Sequence, residues 1–104
     1  MSTNSANGKK ILDKIRKSPM TFGRLLNSLR LADEISQVEL AKKASVSKGL
    51  ICDIEKGRRD ASIELVIKLA KIMGYAPESF VSILLEEQIH RAKLFYRVKL
   101  EKAA

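Results

Sequence analysis

The sequence predicts a mainly α-helical protein, one small domain of five helices, and three observations carry that prediction. Apolar residues recur at three- and four-residue spacing, most clearly at Phe22, Leu25, Leu26 and Leu29. Hydroxyl residues stand where helices need N-caps, while Gly57, Gly74 and Pro77 stand where helices stop or start. Finally, residues 37–57, QVELAKKASVSKGLICDIEKG, read as two short amphipathic helices around the break Ser45-Val46-Ser47. A chain of 104 residues, 45% hydrophobic, has room for one domain with a modest core and for no second, enzyme-sized unit.

Composition narrows the function classes. The formal charge of +8 divides as +4 over residues 1–20, +3 over 21–75 and +1 over 76–104. A basic balance suits a phosphate-binding protein, because each neutralised phosphate releases counterions. Cys52 is the only cysteine, so no intramolecular disulfide framework and no Cys-rich zinc site is expected, which suits a reducing cytosol. No apolar run approaches the roughly 20 residues that span a bilayer, and the first residues lack a secretory apolar core. The expectation is a cytoplasmic protein without a membrane partner.

Residues 1–8 are small and polar and read as a tail. Residues 9–17 place Ile11, Leu12 and Ile15 on one side of a short amphipathic helix, ringed by Lys9, Lys10, Lys14, Arg16 and Lys17. Two readings stay open: a helix packed on the domain, or an arm that touches the DNA backbone or minor groove. Ser18-Pro19 ends the segment either way.

The central unit spans residues 21–75. Thr21 caps the helix whose 22/25/26/29 stripe must be core. Ser36 with Glu39 is a capping-box start, and Val38, Leu40, Ala41 and Ala44 give the second helix its apolar side. Ser47 caps a third helix carrying Leu50, Ile51 and Ile54, with Gly57 as its stop. Two helices joined by such a turn form a helix-turn-helix. The loop Lys56-Gly57-Arg58-Arg59-Asp60 is basic and suits phosphate contacts. Ser62 caps a fourth helix with Leu65, Val66, Leu69, Ala70 and Met73 inward, Lys68 and Lys71 toward solvent, and Gly74 at its end.

Residues 76–104 read as a dimerisation segment. Pro77 opens a fifth helix, and Phe80, Val81, Leu84, Leu85 and Ile89, with Ile83 adjacent, make a wider apolar face than one small domain absorbs. Beyond Arg91 the period becomes two: Leu94, Tyr96, Val98 and Leu100 alternate with Phe95, Arg97, Lys99 and Glu101, as in a half-buried strand. A lone strand in a helical chain needs a partner, and the economical one is the same strand of a second copy, in a two-fold dimer. Phe80, Leu84, Leu94, Tyr96, Val98 and Leu100 are the expected dimer residues. Continuation of the fifth helix to Lys102 is the alternative.

Gln37, Leu40, Ala41, Val46-Ser47, Ile51, the run 53–59 (DIEKGRR), Leu65 and Leu69-Ala70-Lys71 together resemble the Cro/C1-type (Xre) helix-turn-helix family, over about residues 21–75. The resemblance implies a lambda-repressor-like five-helix bundle whose third helix lies in the major groove of double-stranded DNA, N-terminal end first. It also implies an ion pair between Arg30 and Glu55 that ties the first helix to the end of the third. Two positions depart from the family: Ser45 stands where glycine is usual, so the turn must be left-handed at a serine or bend differently, and Gly49 replaces a long polar residue.

On DNA, Ser47, Lys48 and Gly49 form the leading turn, with Cys52 and Asp53 one turn later. Lys48 can donate to guanine O6 and N7 or to a phosphate. Gly49 permits close backbone approach, and Cys52 reads as a small packing residue. Asp53 can accept from cytosine N4 or pair with Arg58 or Arg59, and the pairing is favoured. Gln37, with the N–H groups at its helix start, is placed for a phosphate, as are Lys56, Arg58 and Arg59. His90 is the only histidine, and there is no nucleophile–base spacing, phosphate loop or metal-ligand cluster, so neither catalysis nor a cofactor is expected. The leading functional reading is a homodimeric DNA-binding transcriptional regulator, read as a repressor acting on a pseudo-palindromic operator. The alternative, also drawn from the resemblance, is an antitoxin that clamps a toxin through its C-terminal segment.

Overall fold

A computed structural model describes residues 21–103. They form five helices: α1 (Phe22–Ala32), α2 (Gln37–Ala44), α3 (Lys48–Glu55), α4 (Ile63–Met73) and α5 (Pro77–Arg91). The tail, the short amphipathic helix and the basic arm expected within residues 1–20 lie outside the described residues.

Each of the first four helices starts on the hydroxyl the sequence offers. Thr21 accepts from the Arg24 N–H, Ser36 from Glu39, Ser47 from Leu50 and Ser62 from Leu65, at 3.0–3.2 Å. The capping box at Ser36 is half formed, because the Glu39 carboxylate turns instead to Lys43 at 3.8 Å. Pro77 occupies the first turn of α5, where its missing N–H costs nothing. Gly74 closes α4 with a left-handed φ of 83°.

The core is built from the periodic positions. Leu25, Leu26, Leu29, Leu40, Ile51, Val66, Leu69 and Met73 are fully buried. Phe22, Tyr75 and Phe80 meet as an aromatic trio joining α1, the end of α4 and α5, with ring centroids 5.6 and 5.8 Å apart. Helices α2 and α3 pack on each other, α1 lies across α3, and α4 and α5 close the far side.

Two expectations are corrected here. Phe80 and Leu84, assigned to a dimer contact, are core residues at 0% and 2% exposure. The broad apolar face of α5 is taken up within the chain, since α5 packs against both α4 and α1 and buries Phe80, Val81, Ser82, Ile83 and Leu84 in succession. Lys68 is exposed, as expected, and its ammonium also donates to the Ala44 carbonyl at 3.0 Å, serving an acceptor at the end of α2.

Helix α5 does not continue to Lys102. Lys93 takes a left-handed φ of 64°, its N–H bonds the His90 carbonyl, the Leu94 N–H bonds that of Ile89, and the chain reverses. Residues 94–103 carry neither helix nor strand. The segment is held to α5 by the Val98 N–H, which donates to Glu86 Oε2 at 2.7 Å, and by the Phe95 ring, edge-on to His90 at 4.8 Å.

Candidate nucleic-acid interface

Helix α3 has two unlike faces. Ile51 and Ile54 anchor its back in the core at 0% and 2% exposure, while Ser47, Lys48 and Gly49 at its leading end are exposed and Cys52 and Asp53 are half-buried. The anchoring is closer than hydrophobic patterning alone indicates. A Cβ on Gly23 of α1 would overlap the Ile54 carbonyl oxygen, so glycine is what lets α1 cross the end of α3 at backbone contact.

The turn between α2 and α3 is left-handed at Ser45, with φ 58° and ψ 42°. Of the two solutions open to a serine at a glycine position, the chain takes the strained one. The Ser45 and Val46 N–H groups then satisfy the carbonyls of Lys42 and Ala41, closing α2 and delivering Ser47 as the cap of α3.

Behind α3 lies a buried polar cluster centred on Glu55. Arg30 clamps it through two bonds, Nε to Oε2 at 2.7 Å and an NH2 bond to Oε1 at 3.0 Å, and both side chains are under 10% exposed. Oε1 also accepts from Asn27 Nδ2 and Gln37 Nε2, each at 2.9 Å. Burial alone would raise the Glu55 carboxyl, but the bonds from Arg30, Asn27 and Gln37 outweigh it and hold the group below its ordinary value. Gln37, expected to face a phosphate, has one amide N–H committed to Glu55, which fixes its side chain at the start of α2.

The basic loop follows without a break. Gly57, at φ 77°, turns the chain, and the Arg58 N–H returns to the Asp53 carbonyl at 2.8 Å. Lys56, Arg58 and Arg59 are exposed beside α3. Asp53 pairs with Arg58 at 3.6 Å, one of the two partners expected for it. Asp60 turns away from the loop's cations to Arg91 at the end of α5.

Of the residues expected at a DNA surface, Ser47, Lys48 and Gly49 are exposed at the leading end of α3 and Lys56, Arg58 and Arg59 in the loop that follows its other end, Cys52 is half-buried between them in sequence, and Gln37 is tied to Glu55. Asn27, Gly23, Glu87 and Arg91 were not singled out by sequence reasoning. Their roles rest on contacts across 28 to 65 residues, which no local pattern reports. Of the expected dimer residues that lie outside the core, Leu94, Tyr96 and Leu100 are 50%, 68% and 39% exposed, and Val98 is half-buried. No described helix is long and apolar enough to cross a membrane.

A family model described as "Helix-turn-helix" matches residues 26–80. The immunity repressor protein of Bacillus phage phi105 is 31% identical over 72 residues, which are 66% of this chain and 50% of the repressor; the match thus spans half the repressor's length. The control protein C.BamHI of Bacillus amyloliquefaciens is 30% identical over 63 residues, 60% of this chain and 78% of that protein. Among solved structures, the restriction-modification controller protein C.AhdI of Aeromonas hydrophila superposes with a TM-score of 0.54 at 28% identity, covering 65% of this chain and 96% of the controller.

Proposed function

Because the chain belongs to the Cro/C1-type helix-turn-helix family, we propose that it is a sequence-specific DNA-binding transcriptional regulator that represses from a pseudo-palindromic operator. The observation that carries the reading is the exposure of Ser47, Lys48 and Gly49 at the leading end of a helix whose back is locked in the core, with Lys56, Arg58 and Arg59 exposed alongside. An α-helix presented in this way fits the major groove, and the flanking cations meet the phosphates. Lys48 reads a base edge; Arg58 and Arg59 set register on the backbone. The protein acts by binding rather than catalysis, in the cytoplasm.

A second copy completes the regulator. Residues 94–100 expose Leu94, Phe95, Tyr96 and Leu100, an apolar load that a dimer would cover. Two-fold pairing of residues 94–101 would set the two α3 helices to read half-sites roughly 34 Å apart. The same exposed segment also supports the antitoxin reading, in which a toxin takes the place of the second copy.

Selection of bound duplexes from a random DNA pool tests the proposal. An emergent palindrome supports a dimeric, sequence-specific regulator, and recovery of no preferred sequence refutes it. Sedimentation of the free chain separates the two roles of the C-terminal segment: a dimer that Tyr96→Asp converts to monomer supports self-pairing, and a monomer at micromolar concentration supports the toxin partner.

A further inference from the structure

The trailing end of the basic loop is tied to the last turn of α5. Arg91 grips Asp60 with both guanidinium arms, NH1 to Oδ2 at 3.3 Å and NH2 to Oδ1 at 3.0 Å. The same NH2 reaches Glu87 Oε2, one turn back, at 3.2 Å. Glu87 Oε1 in turn accepts the Phe22 N–H at 2.8 Å, capping the start of α1 from 65 residues away. One chain of bonds thus joins the start of α1, the loop after α3 and the end of α5, around a shallow cavity also lined by Arg59 and Ile54.

The chemistry of the loop gives this chain of bonds a purpose. Asp60 is the only acid in Lys56-Gly57-Arg58-Arg59-Asp60, and a free carboxylate beside two arginines would either draw them inward or repel a phosphate. Arg91 cancels that charge from behind and fixes where the loop ends, one residue after Arg59. Glu87 orients Arg91, and is itself only 18% exposed and held by the first N–H of α1. The anchor is therefore stiffer than an isolated surface pair.

We propose that Arg91 is a positioning residue for DNA binding: it holds Asp60 so that Arg58 and Arg59 face the phosphates, and does not itself touch the duplex. The inference rests on the DNA-binding reading above.

The test is a fluorescence-anisotropy titration of the full chain against a duplex recovered by the selection, at several salt concentrations. Arg91→Ala weakens binding about threefold to fivefold, the range an exposed pair supports, and leaves the slope against log salt unchanged. Asp60→Asn weakens binding to a similar degree although it removes a negative charge near the DNA, and the double variant is no weaker than either single one. Arg91→Lys recovers part of the loss. A slope reduced by about one in Arg91→Ala would make Arg91 a phosphate contact and overturn the proposal. Tighter binding by Asp60→Asn, or additive effects of the two changes, would overturn it as well. If the unaltered chain fails to bind any duplex, the DNA-binding reading itself falls, which separates the two failures.

Discussion

Glycine to alanine inside a helix ordinarily stabilises, by up to about 1 kcal/mol. At Gly23 the geometry reverses the sign. The added methyl has no room, because the Ile54 carbonyl oxygen occupies its place, and a backbone atom cannot rotate aside as a side chain can. Overpacking of this kind costs about 1–3 kcal/mol, with a rigid obstacle at the upper end. After the propensity gain, Gly23→Ala should destabilise by about 2 kcal/mol, a fall of roughly 8–16 °C in Tm for a domain of this size. Gly49→Ala is the internal control. It meets nothing closer than the Ser47 hydroxyl at 3.9 Å, so it should leave stability unchanged or raise it by a few tenths of a kcal/mol. Urea and thermal unfolding followed by circular dichroism give both values on one scale. A Gly23→Ala variant as stable as the parent would mean that α1 and α3 do not cross at backbone contact, and the account of how α3 is seated would be wrong.

Other consequences follow from the same geometry. The Glu55 carboxyl is held below its ordinary value of 4.5, so its pair with Arg30 contributes stability above about pH 4.5 and loses it as pH falls through the lowered value. Glu55→Gln should flatten that acid limb and cost about 3–5 kcal/mol by leaving the Arg30 charge buried, as read by urea midpoints from pH 3 to 7. The Tyr75 hydroxyl donates to Asp33 Oδ2 at 2.9 Å while Oδ1 has no partner among the described residues. Tyr75→Phe should therefore cost about 1.5–3 kcal/mol in chemical denaturation, because both oxygens of a buried carboxylate are then unserved. Ser45→Gly relieves a left-handed serine and should stabilise by about 0.5–1 kcal/mol after the entropy of a freer unfolded chain is counted; a lowered Tm would refute the strain. On DNA, Lys48→Ala should relax preference at one base position and Arg58→Ala should weaken all sequences alike, which selection profiles of the two variants distinguish.

Much of this architecture can be read directly from residue pattern. The 22/25/26/29 stripe, the four hydroxyl caps and the Gly57 and Gly74 stops place the first four helices and Pro77 places the fifth, because caps and amphipathic periods are local consequences of the backbone's need for partners. The leading end of α3 was legible for the same reason: Ser47 must cap, Ile51 and Ile54 must turn inward, and Lys48 and Gly49 are left outside. What escaped was set at a distance. Gly23 looks like any helix glycine until Ile54 is brought against it, and Asn27 looks like a surface amide until Glu55 is placed beneath it. The width of the α5 apolar face suggested a second chain because periodicity counts apolar residues without saying how many neighbours will cover them. Here α1 and α4 both do. The alternation of residues 94–101 is real in the sequence, but it has no strand beside it in the described residues, where a glutamate from α5 holds the Val98 N–H instead.

If the exposed end of α3 reads DNA as proposed, its division into a fastened back and a bare front would make the module retargetable. Randomising the exposed positions 48 and 49 in a library should yield proteins that prefer different operators while nearly all of them fold, since surface changes away from caps and buried pairs stay within about 0.5 kcal/mol. Any attempt to transplant a foreign recognition sequence must keep Ile51, Ile54 and Glu55 as a fixed chassis, and leave Gly23 as the socket into which it plugs.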